Sequence, residues 1–141
     1  MLTRYLGATA DREDVARLSI LRGERQHWKD TYVTIDHTVK QQGESFTLDG
    51  VFAFSNSPQI NYARVRGFKV KFFLLDRNLQ VVDYLEVVRT LSSNLEDTVA
   101  FSHNLKLPEN VVALTFGYEG LFIDGEDGTV FAVSKYPRRN P

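Results

Sequence analysis

The sequence predicts an all-β protein: an antiparallel β-sandwich of about seven strands, with a short N-terminal helical or irregular segment. Three observations predict it. After Thr31, apolar residues recur at every second position through most of the chain, which is the period of a half-buried strand. Turn-forming clusters such as Ser55-Asn56-Ser57-Pro58, Asp76-Arg77-Asn78 and Asp124 to Gly128 separate the alternating runs, each residue supplying local bonding or a fixed φ. Between the runs there is no room for the helices of roughly 10–15 residues that a parallel sheet requires. A closed barrel of seven or eight strands satisfies the same periodicity, so sandwich and barrel are not separated by pattern alone.

The elements follow in order. All ten Phe lie between Phe46 and Phe131, while the first thirty residues hold none and are dense in charge. Residues 1–30 therefore read as a peripheral segment, 31–136 as the sandwich domain and 137–141 as a frayed tail. A short helix is expected over Asp11 to Arg22, with Asp11 as its N-cap and Glu13 and Asp14 in the first turn. Val15, Leu18 and Leu21 give it one narrow apolar stripe, and Gly23 a stop. Val33, Ile35, His37 and Val39 mark the first strand; Phe46, Leu48, Gly50, Phe52 and Phe54 mark the second. Residues 68–75 and 79–88 read as a hairpin, with Asn78 supplying the left-handed residue of its loop. Val99 to Leu105, Val112 to Tyr118 and Thr129 to Tyr136 complete the set.

Composition bounds the function. The chain has 141 residues, 43% of them apolar and 25% charged, which is ordinary globular composition. Its 17 Lys and Arg against 18 Asp and Glu give a net charge of −1, without the basic excess of a nucleic-acid binder. Having no cysteine, it forms no disulfide, no Cys-ligated metal centre and no thiol nucleophile. No apolar run approaches the ~20 residues of a spanning helix. Met1 to Ala10 is too short and polar for a secretory signal. Either the protein is cytosolic or a targeting segment has been removed, and the sequence does not separate the two; the lean is toward an exported or cell-envelope protein, because helix-poor, Tyr-rich sandwiches are frequent there.

The order of strands, with Leu105-Lys106-Leu107-Pro108 ahead of the strand at 111–118, resembles the fibronectin type III and immunoglobulin-like sandwiches over residues 31–136. In those folds a Leu-x-Pro stretch sits where the chain crosses between sheets, often with a tyrosine packing the corner; here Val111 and Val112 stand in its place. The resemblance implies a scaffold that binds or spaces rather than catalyses, and it transfers no functional residue.

Candidate chemistry is sparse. His37 and His103 each replace an apolar residue on the inward face of a strand, as backbone-bonded core histidines or as a pair handling a metal or a proton. Asp124, Glu126 and Asp127 concentrate three carboxylates between glycines, as a solvated turn or as a calcium loop. Gly-x-Ser-x-Gly, Gly-x-Gly-x-x-Gly and phosphate-loop motifs are missing, and Ser102 and His103, adjacent in a strand, point to opposite faces. No catalytic residue and no cofactor are expected. Arg64, Arg66, Lys69 and Lys71 alternate as a basic stripe. The most specific hint is the 68–88 hairpin, whose second face carries Phe73, Leu75, Val82 and Val88 beside Tyr84. A sheet apolar on both sides is a covered sheet, here by the 11–22 helix or by a partner. The expected function is therefore a non-catalytic module meeting a protein partner or a second copy of itself, within an envelope or surface assembly. The alternative is a module for carbohydrate or lipid that uses exposed aromatics.

Overall fold

A computed structural model of the chain describes residues 5–17 and 23–138, with residues 91–93 described by their backbone alone. Two antiparallel sheets face each other. One runs in the order β2 (Gln26–Lys29), β3 (Val33–Gln42), β4 (Ser45–Phe54) and β7 (Val99–Lys106). The other places β6 (Val81–Asn94), β5 (Arg64–Leu75) and β8 (Ala113–Ile123) side by side, with β1 (Ala16–Arg17) and β9 (Val130–Lys135) both paired to β8. A six-residue helix, α1 (Asn56–Asn61), links β4 to β5 across the sheets. The stretch Leu107-Pro108 likewise carries the chain from β7 in one sheet to β8 in the other.

The seven expected strands are present as β3 to β9, and the architecture is a sandwich. Differences arise where tertiary contact outweighs local pattern. The helix expected over Asp11 to Arg22 is a single 3-10 turn at Arg12–Asp14 followed by β1, with residues 18–22 outside the described residues. Asp11 makes no side-chain cap. The Asp14 carbonyl instead accepts bonds from the Trp28 indole at 3.1 Å and the Thr115 hydroxyl at 2.8 Å, which ties the turn across both sheets. In the 76–80 loop the left-handed residue is Leu79 (φ 61), not Asn78. The Asp76 carboxylate accepts from the amides of Asn78 and Gln80. Leu79 is buried, and that burial offsets the roughly 1–2 kcal/mol a side chain pays in this conformation.

Alternation fills the space between the sheets with rings. Phe46, Phe52 and Phe54 of β4 meet Phe68 and Phe72 of β5, and Phe116 and Phe122 of β8. Centroid distances such as 5.0 Å for Phe54–Phe68 and 5.3 Å for Phe72–Phe116 lie in the favoured aromatic range of about 4.5–7 Å. Phe68 deserves its place to a bulge. Lys69 pairs with Glu119 but Arg66 with Leu121, so Gly67 and Phe68 together oppose Gly120. Gly67 sits at φ 60, and the Phe68 ring lies over Gly120, stacked on Tyr118 at 5.5 Å.

A Cβ on Gly120 would stand 2.3 Å from the Phe68 ring and 3.0 Å from its Cα. Gly120→Ala is therefore expected to destabilise the fold by about 1–3 kcal/mol through overpacking, read as a lower urea midpoint with an unchanged slope.

Candidate functional site

The apolar second face of the β5–β6 hairpin is covered by the chain itself. Tyr5, Ala8 and Ala10 pack with Phe73, Leu75, Leu79, Val81 and Ala113 in a second core on the outer side of the five-stranded sheet. This N-terminal strap is bonded through its backbone: Gly7 N–H donates to the Val81 carbonyl at 2.9 Å, Val81 N–H to Ala8 at 2.8 Å, and Ala10 N–H to Leu79 at 2.9 Å. Thr9 and Arg138 exchange amide bonds, tying the C-terminal residues to the same strap. Tyr5 meets Phe73, Tyr84 and Tyr136 at 5.0 to 5.5 Å.

Of the residues expected to form an interaction surface, Phe73 and Leu75 are thus sealed under the strap, and Tyr84 is half-buried at its edge. Val82 and Val88 lie on the other side, against the core between the sheets. Register explains the split. Val70 pairs with Val88 but Lys71 with Glu86, and Leu74 with Asp83 but Leu75 with Val81. Two extra residues in β6 reset the alternation that sequence reading assumes to be continuous. The basic stripe is interrupted too. β5 is a central strand, and Lys71, 6% exposed, lies over the Tyr5 ring at 4.7 Å and the Tyr136 ring at 5.2 Å, with Glu119 at 4.0 Å. This cation–π and ionic enclosure desolvates a lysine that sequence alone places in water.

The two histidines are not neighbours across a strand pair. His37 pairs with Gly50 and Gly50 with Phe101, while His103 pairs with Leu48. The two stand on strands flanking β4 and out of line, their Cα atoms on the order of 10 Å apart from strand spacing alone. The Phe101 ring covers Gly50, filling the space beside His37. His37 is 3% exposed, its ring 5.0 Å from Phe116. Neither ring nitrogen has a well-formed hydrogen bond among the described residues. Burial lowers its pKa below the ordinary 6.5, with the Ile35 carbonyl and Asp36 opposing that shift and His27 adding to it.

The acidic turn between β8 and β9 spends its carboxylates on its own backbone. Asp124 accepts from the Glu126 amide and Asp127 from the Thr129 amide, each at 2.8 Å. The Thr129 bonds hold the Asp127 carboxyl below its usual range. Among the described residues, the three acidic groups close enough to share an ion are Asp11, Glu13 and Asp14, not those of this turn.

Exposed apolar side chains lie elsewhere. Ile60 on α1 is 81% exposed, and Val130 and Phe131, consecutive in β9, are 49% and 44% exposed. Tyr62, which closes α1, stacks on Phe122 at 5.0 Å and meets Phe131 at 5.4 Å. The α1 end and the β8–β9 hairpin are joined by the Ala63 amide bonded to the Ile123 carbonyl. The outer edge of β9 has no strand partner among the described residues. The Asp124 amide bonds the Thr129 carbonyl at 2.9 Å in the same register as Ile123 with Val130. By ladder alternation Phe131, Val133 and Lys135 bond β8, and Val130, Ala132 and Ser134 direct their N–H and C=O groups outward. The signal that sequence reading passed over was Val130-Phe131-Ala132-Val133 itself, four apolar residues in a row without the alternation of a covered strand. The remaining aromatics are inward or half-buried: Trp28 and Tyr118 lie in the core, Tyr118 bonded to Asp30.

Tyr5→Ala should cost about 3 kcal/mol, in the range of buried aromatic truncations, and raise binding of an apolar dye as Phe73 and Leu75 become accessible. His37 gives a pH dependence whose sign is fixed. Because its folded pKa is lowered, the unfolded chain takes up the proton first as pH falls; stability is full above about pH 6.5 and declines below it. Urea unfolding at pH 7.5 and pH 5 should show this decline reduced in His37→Leu. No protein-family model matches the chain, and neither a curated protein nor a solved structure is similar to it at a significant level.

Proposed function

We propose that the chain is a non-catalytic binding module of the immunoglobulin or fibronectin type III kind, working by protein–protein contact in an envelope or surface assembly. Strand order supports the finer fold reading. Numbering β3 to β9 from one to seven, the first, second and fifth share one sheet and the third, sixth and seventh the other, which is the A-B-E and C-F-G division of those sandwiches. The fourth, β6, stands beside β5, in the place of strand C′.

The observation that carries the functional reading is the exposure of Ile60, Val130 and Phe131, with half-buried Tyr62 against Phe131, beside an edge of β9 that has no strand partner among the described residues. Folded proteins blunt such edges with charge, proline or bulges. β9 has a single charged residue, Lys135, at its far end, where it pairs with Asp14 at 3.0 Å. An extended apolar segment of a partner fits this edge, adding one strand through the backbone groups of Val130, Ala132 and Ser134 while its side chains meet Phe131 and Ile60. The hairpin face under the strap is not the contact surface in this reading, because its apolar residues are already satisfied within the chain.

The test is a photo-crosslinking amino acid placed at position 131 and, as a control, at position 77, which is exposed in the hairpin loop at the strap end. In the cells that make the protein, position 131 is expected to yield a discrete crosslinked protein species and position 77 none. Equal labelling at both positions, or none at 131, contradicts the reading.

A further inference from the structure

A cavity of about 590 Å3 opens on the outer face of the four-stranded sheet, lined by Arg25, Asp36, Thr38, Asp49, Val51 and Ser102 among others. Its size falls within the roughly 300–1,000 Å3 of small-molecule sites. Register explains how it is built. Thr38 pairs with Asp49 and Asp49 with Ser102, and Arg25, one residue ahead of Gln26 opposite His37, continues that line. One row across the sheet therefore presents a guanidinium, a hydroxyl, a carboxylate and a second hydroxyl. The adjoining row pairs His27 with Asp36, Asp36 with Val51 and Val51 with Ala100. The hollow exists because the outward side chains at its centre are short, while Arg25 and His27 rise at the β2 edge.

We propose that this cavity binds a neutral saccharide. Each carboxylate is oriented and half-free: Ser102 Oγ donates to Asp49 Oδ1 at 2.5 Å, and His27 Nδ1 is bonded to Asp36 Oδ1. The second oxygen of each is left to accept from a ligand hydroxyl. Arg25 forms no ion pair with the described residues, leaving its donors for ring or hydroxyl oxygens. Val51, 43% exposed, and Ala100 give an apolar floor for the C–H face of a sugar ring. Two carboxylates disfavour phosphates and nucleic acids. Neither Asp36 nor Asp49 falls in a three-ligand cluster among the described residues, so a cation finds no cage here, and the polar rows offer a lipid chain no continuous apolar lining. Hydroxyl-rich neutral ligands satisfy every group present. The site lies on the sheet opposite β9 and stands or falls separately from the protein contact proposed above.

The experiment is an amide-detected NMR titration of the full chain with maltohexaose, cellohexaose and mannohexaose, with calcium chloride and spermine as parallel arms. Saturable shifts are expected with at least one hexasaccharide, confined to residues 36–38, 49–51 and 100–102. Asp49→Asn keeps an acceptor for Ser102 and should weaken that binding at least tenfold, with an unchanged unfolding midpoint. Absence of shifts with all three sugars, shifts at these residues with calcium or spermine alone, or unaltered affinity in Asp49→Asn overturns the proposal.

Discussion

The structure depends on one constraint: two sheets must close on a layer of phenylalanines too bulky to interdigitate unless small residues make room for them. Gly120 lets Phe68 lie flat between Tyr118 and Phe122, and Gly50 lets the Phe101 ring settle over β4. Interiors pack at crystal-like density, so the positions of these rings fix the separation and register of the strands that carry them. The bulge at Gly67 and Phe68 follows from this need, since it turns Phe68 inward opposite Gly120, where β8 has no side chain.

The same packing determines which surfaces remain. β5 is apolar on both faces because it lies in the middle of two cores, one between the sheets and one under the strap. The strap, with its Tyr5 ring and alternating amide bonds to the β6 start, takes the place a partner would occupy on a bare sheet. Lys71 shows the depth of that cover: its ammonium is held between two tyrosine rings and Glu119 rather than by water. What is left for other molecules is peripheral, the apolar end at β9 and the short-side-chain hollow over β3, β4 and β7.

Much of the fold was legible. Period-two alternation located β3 to β8 because those strands each have one face on the same core, the turn at Asp124 to Gly128 located β9, and the doubly apolar hairpin marked a sheet that is covered, though by Tyr5 to Ala10 rather than by the 11–22 helix or a partner. What covers it was illegible, since Tyr5 to Ala10 carries small residues and a glycine rather than a pattern. The helix expected over Asp11 to Arg22 rested on cap chemistry, which the Asp14 carbonyl overrides by bonding Trp28 and Thr115. Site residues fared according to register. Phe73 and Leu75 sit on the outer face as alternation placed them, whereas Val82 and Val88 turn inward past bulges that no local signal announces. His37 was legible as buried, but its distance from His103 depended on strand order, which pattern does not encode.

Hydrogen exchange followed by NMR on the intact protein tests the central claim most directly, that the chain seals its own β5–β6 face and leaves β9 open. The account predicts slow exchange at Gly7, Val81 and Ala10, comparable to the β5–β6 ladder, together with fast exchange at Val130, Ala132 and Ser134 and protection at Phe131 and Val133. Fast exchange across the strap, or uniform protection along β9 in the dilute protein, would contradict it.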